Sequence, residues 1–384
     1  MIQLKGITWN HTRGYLPMVA TAQRFSELHP DVKIAWEVRS LQQFADSPIQ
    51  DLAQRFDLLV IDHPFSGYAA VHDVLVPLDD YVAKQFLDDQ QENTVGHSHA
   101  SYRAGGHQWA LAIDAATPVS GCRPDLLDVA NATAPQTWDE LLHLARRGMV
   151  ALPAIPIDSL MNFYMLCGAL GEDPFLSRDA VVTPEIGIQA LQRLRELVLL
   201  CAPECLSRNP IATWELLSSG NTVAYCPFAY GYSNYSRRGY ARNVLHVGGL
   251  VAMNSGVRCR STLGGTGLSI SSRCRHKEIA AEYATYVAGT DCQRTLYFES
   301  GGQPGHRAAW LDDAVNERSS HFFQATLPTL DAAFLRPTFS GYIPFQDHAA
   351  PVIHKYLQTG GNEKNVLTEL DHLYAVAGKE ERNG

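Results

Sequence analysis

Strand-like and helix-like segments alternate along almost the whole chain, and that alternation limits the folds open to it. Ile2 and Leu4 open a strand, and Tyr15, Met18, Ala22 and Phe25 recur at helical spacing. Val32, Ile34, Trp36 and Val38 then alternate as a second strand does. An apolar run ending at Ile61, flanked by Asp57 and Asp62, has the length of a short strand buried on both faces. Such alternation implies parallel sheets with helices on both faces. In open sheets of that kind ligands sit beyond the carboxyl ends of the strands.

The chain has 384 residues, enough for two lobes that each bury a core. Its net charge of -9 argues against nucleic acid as the main partner. No apolar run approaches the roughly 20 residues a bilayer-spanning helix needs. The first residues already read as a strand, without a basic segment followed by an apolar one and a cleavage site. As written, the chain is expected to be cytoplasmic, or periplasmic if a signal was removed and Met1 added. Eight cysteines lie at scattered spacings, with Cys201 and Cys205 the only close pair, a pattern of buried thiols more than of a disulfide framework.

The stretch from Leu263 to Trp310 carries the most information. Gly264, Gly265 and Gly267 permit a tight turn or close backbone approach, and Leu268 to Ser271 alternates as a strand. A helix follows with Ile279, Tyr283 and Val287 on one face, then Asp291-Cys292-Gln293 and the turn Gly301-Gly302-Gln303-Pro304. Elsewhere Phe25 to Pro30 closes a helix with His-Pro, and Val76 to Tyr81 reads Val-Pro-Leu-Asp-Asp-Tyr. Tyr102 to Ala112 reads as a strand pair turning at Gly105-Gly106. Arg123-Pro124-Asp125-Leu126-Leu127 precedes Pro135-Gln136-Thr137-Trp138-Asp139-Glu140-Leu141, in which Thr137 and Glu140 form a capping box.

In order and spacing these elements resemble the family 1 extracellular solute-binding proteins, the receptors of carbohydrate-type ABC importers. His107, Trp109 and Ala112-Ile113-Asp114 depart from the family's usual lysine, tyrosine and proline region. The resemblance implies an α/β, two-lobed periplasmic-binding-protein-like fold of type II. Each lobe would be a mostly parallel sheet flanked by helices, with a ligand cleft between the lobes. The N-terminal lobe would comprise residues 1–112 and 264–318, the C-terminal lobe 113–263 and 319–384, with crossings near Ile113, Leu263 and Ser319. The implied function is capture of a small polar molecule, sugar-like or carboxylate-bearing, by hinge closure. An ABC permease would be the partner, the chain would be a monomer, and no cofactor or metal would be required.

Candidate ligand contacts fall at strand ends and crossings. Trp9 offers a ring for stacking, and His11, Thr12 and Arg13 stand where a helix begins and an anion would be favoured. Asp62 and His63 end the third strand. Asp114 is expected to present an unpaired carboxylate to ligand hydroxyl or amine donors. Tyr230 and Tyr232 belong to the chain's richest aromatic run and combine apolar faces with polar tips. Gly264, Gly265 and Thr266 offer backbone N–H groups, and Gln303 extends from the Gly-Gly turn. The alternative is an enzyme or ligand sensor on the same fold, with Cys226 as nucleophile and His63 or His11 as base. No Gly-x-Ser-x-Gly or His-Glu-x-x-His motif supports it.

Overall fold

The structure is a computed structural model describing residues 1–41, 48–177, 179–253 and 256–383. Among these, eight strands of three or more residues run in order: β1 (Ile2–Trp9), β2 (Val32–Arg39), β3 (Leu58–Ile61), β4 (Leu111–Ala116), β5 (Pro118–Cys122), β6 (Tyr225–Tyr230), β7 (His246–Gly248) and β8 (Gly264–Ile270). The chain divides into two compact units. Unit 1 is Met1–Ala116, Gly264–Asn316 and Arg336–Tyr342; unit 2 is Thr117–Leu263, Glu317–Leu335 and Ile343–Gly384. The return of 336–342 to unit 1 has no counterpart in the sequence reading, which ran the C-terminal lobe unbroken from 319.

Unit 1 is built on a five-stranded sheet of order β2-β1-β3-β8-β4. β1 runs parallel to β2 and β3, and β8 runs antiparallel to β3 and β4. The carboxyl ends of β1 to β4 and the amino end of β8 therefore share one edge of the sheet. One face is covered by the helices Thr12–Leu28 and Lys277–Ala288, whose Met18, Phe25, Tyr283 and Val287 pack with Leu4, Val60 and Leu268. Tyr283 spends its polar tip inside this core, bonded to Thr21 Oγ1 at 2.9 Å and accepting from Trp36 Nε1 at 3.3 Å. The first helix is capped by His11, whose Nδ1 accepts from the Arg13 N–H at 3.0 Å. An imidazole acceptor does here what a short oxygen side chain does elsewhere.

Unit 2 holds a three-stranded antiparallel sheet, β6-β5-β7. Trp214, on the helix Pro210–Ser219, lies over Gly121, where an added Cβ would come within 2.4 Å of the ring. The capping box at Thr137 forms as the sequence indicates, with Thr137 Oγ1 accepting from Glu140 N–H and the Glu140 carboxylate accepting from Thr137 N–H. Both units are α/β, with a mixed sheet in unit 1 and an antiparallel one in unit 2 rather than mostly parallel sheets. The reason lies in connectivity: β8 enters unit 1 after a long excursion and runs against its neighbours, while β5 and β6 meet antiparallel.

Gly265 is a tight point of the unit 1 sheet edge. Its φ is +102°, and a Cβ there would lie 2.3 Å from the Asp114 carbonyl oxygen. Gly265→Ala is expected to destabilise the protein by about 2–3 kcal/mol, read as a fall in urea midpoint with unchanged slope.

Candidate functional site

The sheet edge of unit 1 gathers most of the sequence-nominated residues. Trp9 ends β1, Asp62 and His63 follow β3, Asp114 lies in β4, and Gly264 to Thr266 open β8. Thr266 pairs with Asp114 across the β8–β4 ladder, and Gly265 with Ala115. Three residues that are not site candidates in the sequence join them: Arg39 at the end of β2, Tyr102 beside His63, and Arg336 on the returning segment.

Two arginine–aspartate pairs lie at this edge. Arg13 is 4% exposed and grips Asp114 through two bonds, Nε to Oδ2 at 2.8 Å and Nη2 to Oδ1. Asp114 is therefore not the unpaired carboxylate the sequence suggested. Burial raises its pKa, and the Arg13 guanidinium works against that rise. The second pair joins Arg336, whose Nη2 donates to both carboxylate oxygens of Asp62 at 2.9 and 2.8 Å. Burial alone would raise the Asp62 pKa, but Arg336 and His63 together outweigh it and hold the carboxyl below its ordinary value. Unlike Asp114, Asp62 keeps 26% of its side chain exposed. Arg39, also buried, donates to the Val60 carbonyl at 3.1 Å, and burial lowers its pKa to about 10.

His63 is buried between these groups. Its Nδ1 lies 3.2 Å from Asp62 Oδ1 and 3.5 Å from Arg336 Nη2, its ring meets Tyr102 edge-on, and its Nε2 has no partner. Burial, then Arg336, lowers its pKa to about 4, so the ring is neutral near pH 7. Burial, then Arg13, likewise lowers His11 to about 4. His11 therefore does not supply positive charge for an anion at the helix start. Thr266 is 5% exposed, and its Oγ1 also has no partner.

Other nominated residues take structural positions. Trp9 is 3% exposed, with its ring packed over Gly14, where a Cβ would fall within 2.3 Å. Gln303 donates through Nε2 to the Ala115 carbonyl at 2.8 Å and so braces β4. Thr12 is the first residue of the helix that His11 caps. Tyr230 and Tyr232 belong to unit 2. Tyr230 OH meets Thr262 Oγ1 at 3.2 Å, and Tyr232 packs with Val119, Trp214 and Tyr235. Arg336 carried no sequence signal, since a single arginine between Leu335 and Pro337 has no period or motif.

Cys226, the alternative nucleophile, sits near the start of β6, an outer strand of the unit 2 sheet, fully buried in a cluster with Trp214 and Leu217. Burial pushes its thiol well above the ordinary range, the reverse of an activated cysteine. Seven of the eight cysteines are buried and only Cys122 is partly exposed. A thiol reagent applied to the native protein near neutral pH is expected to modify Cys122 first and Cys226 only on unfolding. Peptide mapping after brief labelling checks this, and early modification of Cys226 would reopen the enzyme reading.

Residues 8–172 match the family described as bacterial extracellular solute-binding protein. Over almost the whole chain the fold is that of solved solute-binding proteins. Thermotoga maritima MalE3, solved with maltose bound, superposes with a TM-score of 0.83 at 17% identity, covering 98% of this chain and 100% of that one. The GacH receptor of Streptomyces glaucescens, solved unliganded and with acarbose, gives 0.82 at 18% identity, with 98% of each chain covered. An ABC transporter solute-binding protein from Agrobacterium radiobacter, in complex with ribitol, gives 0.83 at 16% identity and the same coverage. No curated protein matches the chain by sequence. The chain thus has the family 1 extracellular solute-binding protein fold, as its motif order implied.

Proposed function

We propose that this chain is a solute-binding protein that captures a small, neutral, hydroxyl-rich molecule at the unit 1 sheet edge. Hinge closure would trap the ligand, and an ABC permease would receive it. The observation that carries the reading is the pairing of charge at that edge. Arg13 is matched by Asp114 and Arg336 by Asp62, and both histidines are held neutral. A carboxylate ligand would approach the partly exposed Asp62 and meet like charge. A hydroxyl group would find in it a strong acceptor. The relatives solved with maltose and ribitol support the same chemical class.

Asp62→Asn keeps the shape and removes the charge. It is expected to weaken a neutral sugar or polyol by about 1.5–3 kcal/mol, roughly ten- to a hundredfold. Titration calorimetry with maltose, ribitol and mannitol on parent and variant tests this. Equal affinities in both would move the site elsewhere.

A further inference from the structure

We propose that Arg336 is a positioning residue for Asp62, and that through this ion pair the ligand-accepting carboxylate is tied directly to a passage of the chain between its two units. The inference rests on the reading of Asp62 as ligand acceptor and adds a regulatory element to it. The segment Arg336–Tyr342 belongs to unit 1, although the residues on both sides of it belong to unit 2. Within unit 2, Phe334 is fixed to the chain at Ser261 and Leu263: its N–H donates to the Ser261 carbonyl at 2.6 Å, and its carbonyl accepts from Leu263 N–H at 2.7 Å. Two residues later, Arg336 is fixed within unit 1 by both oxygens of Asp62. The chain thus passes from unit 2 to unit 1 at Leu335–Arg336, with a clamp on each side.

The unit 1 clamp has a second jaw. Gly67, on the short helix Phe65–Ala69 that follows Asp62 and His63, lies against the returning segment. A Cβ at Gly67 would fall 1.4 Å from the Thr338 carbonyl oxygen and 2.9 Å from the Phe339 carbonyl carbon. Only glycine permits that approach. The helix is itself hung on the site, since Phe65 N–H donates to the Asp62 carbonyl at 3.3 Å and Ser66 N–H to that of His63 at 3.0 Å. A ligand donor that engages Asp62 competes for the oxygens that hold Arg336 and so acts on the passage without intermediates.

The test uses the full chain and has one arm that needs no ligand. Asp62 is followed by carboxyl NMR against pH in parent, Arg336→Gln and Gly67→Ala, while hydrogen exchange is read at residues 335–342. Removing the guanidinium is expected to move the Asp62 titration up toward the ordinary carboxylate range and to speed exchange in the segment at least tenfold. Gly67→Ala, which alters no charge, is expected to do the same in weaker form, and Arg336→Lys to restore part of the parent behaviour. An Asp62 titration that is unchanged in both Arg336→Gln and Gly67→Ala overturns the proposal.

The second arm measures ribitol and maltose affinity against pH. The parent is expected to hold affinity into acid, and Arg336→Gln to lose it as pH falls through the ordinary carboxylate range. If neither probe binds the parent but the NMR and exchange effects appear, the clamp stands and the assigned ligand class fails. If both probes bind and Asp62 is unaffected by Arg336, the ligand class stands and the clamp fails.

Discussion

Replacing Asp114 by alanine is expected to destabilise the protein by about 3–5 kcal/mol, because the change leaves the Arg13 guanidinium buried without the carboxylate that grips it. Arg13 and Asp114 are 4% and 1% exposed, so solvent does little to compensate. The double replacement Arg13→Met with Asp114→Leu is expected to recover most of that loss, since an apolar pair of similar volume removes both desolvated charges. Urea unfolding of parent, single and double variants measures the coupling. A loss below about 1 kcal/mol for Asp114→Ala would mean the pair is far less isolated from water than its burial implies.

The second large effect lies in unit 2. Asp158, in the first turn of the helix Pro156–Leu170, is 4% exposed, and its Oδ2 has no partner. Burial raises its pKa from 3.8 to about 8. A carboxyl raised in this way binds more protons folded than unfolded between those two values. The contribution of Asp158 to stability is therefore fullest below about pH 4, falls as pH rises through the window, and levels off above about pH 8. The shift of about four units corresponds to roughly 5 kcal/mol across the window. Asp158→Asn is expected to flatten the profile and to leave the variant more stable than the parent at pH 8. Thermal unfolding from pH 5 to pH 8.5 checks this, and a parallel fall in both proteins would place the pH dependence elsewhere.

Much of the fold was readable because it is written in local signals. The alternation at Val32 to Val38, the capping box at Thr137 and the His-Pro helix end at His29 each follow from neighbours in sequence. The mixed direction of the sheets was not readable. Gly264 to Ile270 look alike as a parallel or antiparallel strand, and only its partners β3 and β4 decide. The strand ends brought most of the candidate residues to one sheet edge, yet their pairing there was not legible. Asp114 looked unpaired because its partner lies 101 residues away, and Asp62 found its partner 274 residues away. Pairing over such distances leaves no periodicity to read. Trp9 and His11 were nominated for residue type and placement. Burial turned the first into packing and the second into a neutral helix cap.

The central claim is that charge pairing at the unit 1 edge selects a neutral, hydroxyl-rich ligand. A thermal-shift screen of sugars and polyols against the matching sugar acids tests it most directly. At a hundredfold excess over its dissociation constant a true ligand stabilises by about 2.7 kcal/mol, a shift of several degrees. The account predicts that at least one neutral compound gives such a shift in the parent, that Asp62→Asn sharply reduces it, and that the sugar acids give none. Stabilisation by sugar acids alone, or an equal shift in Asp62→Asn, would contradict it.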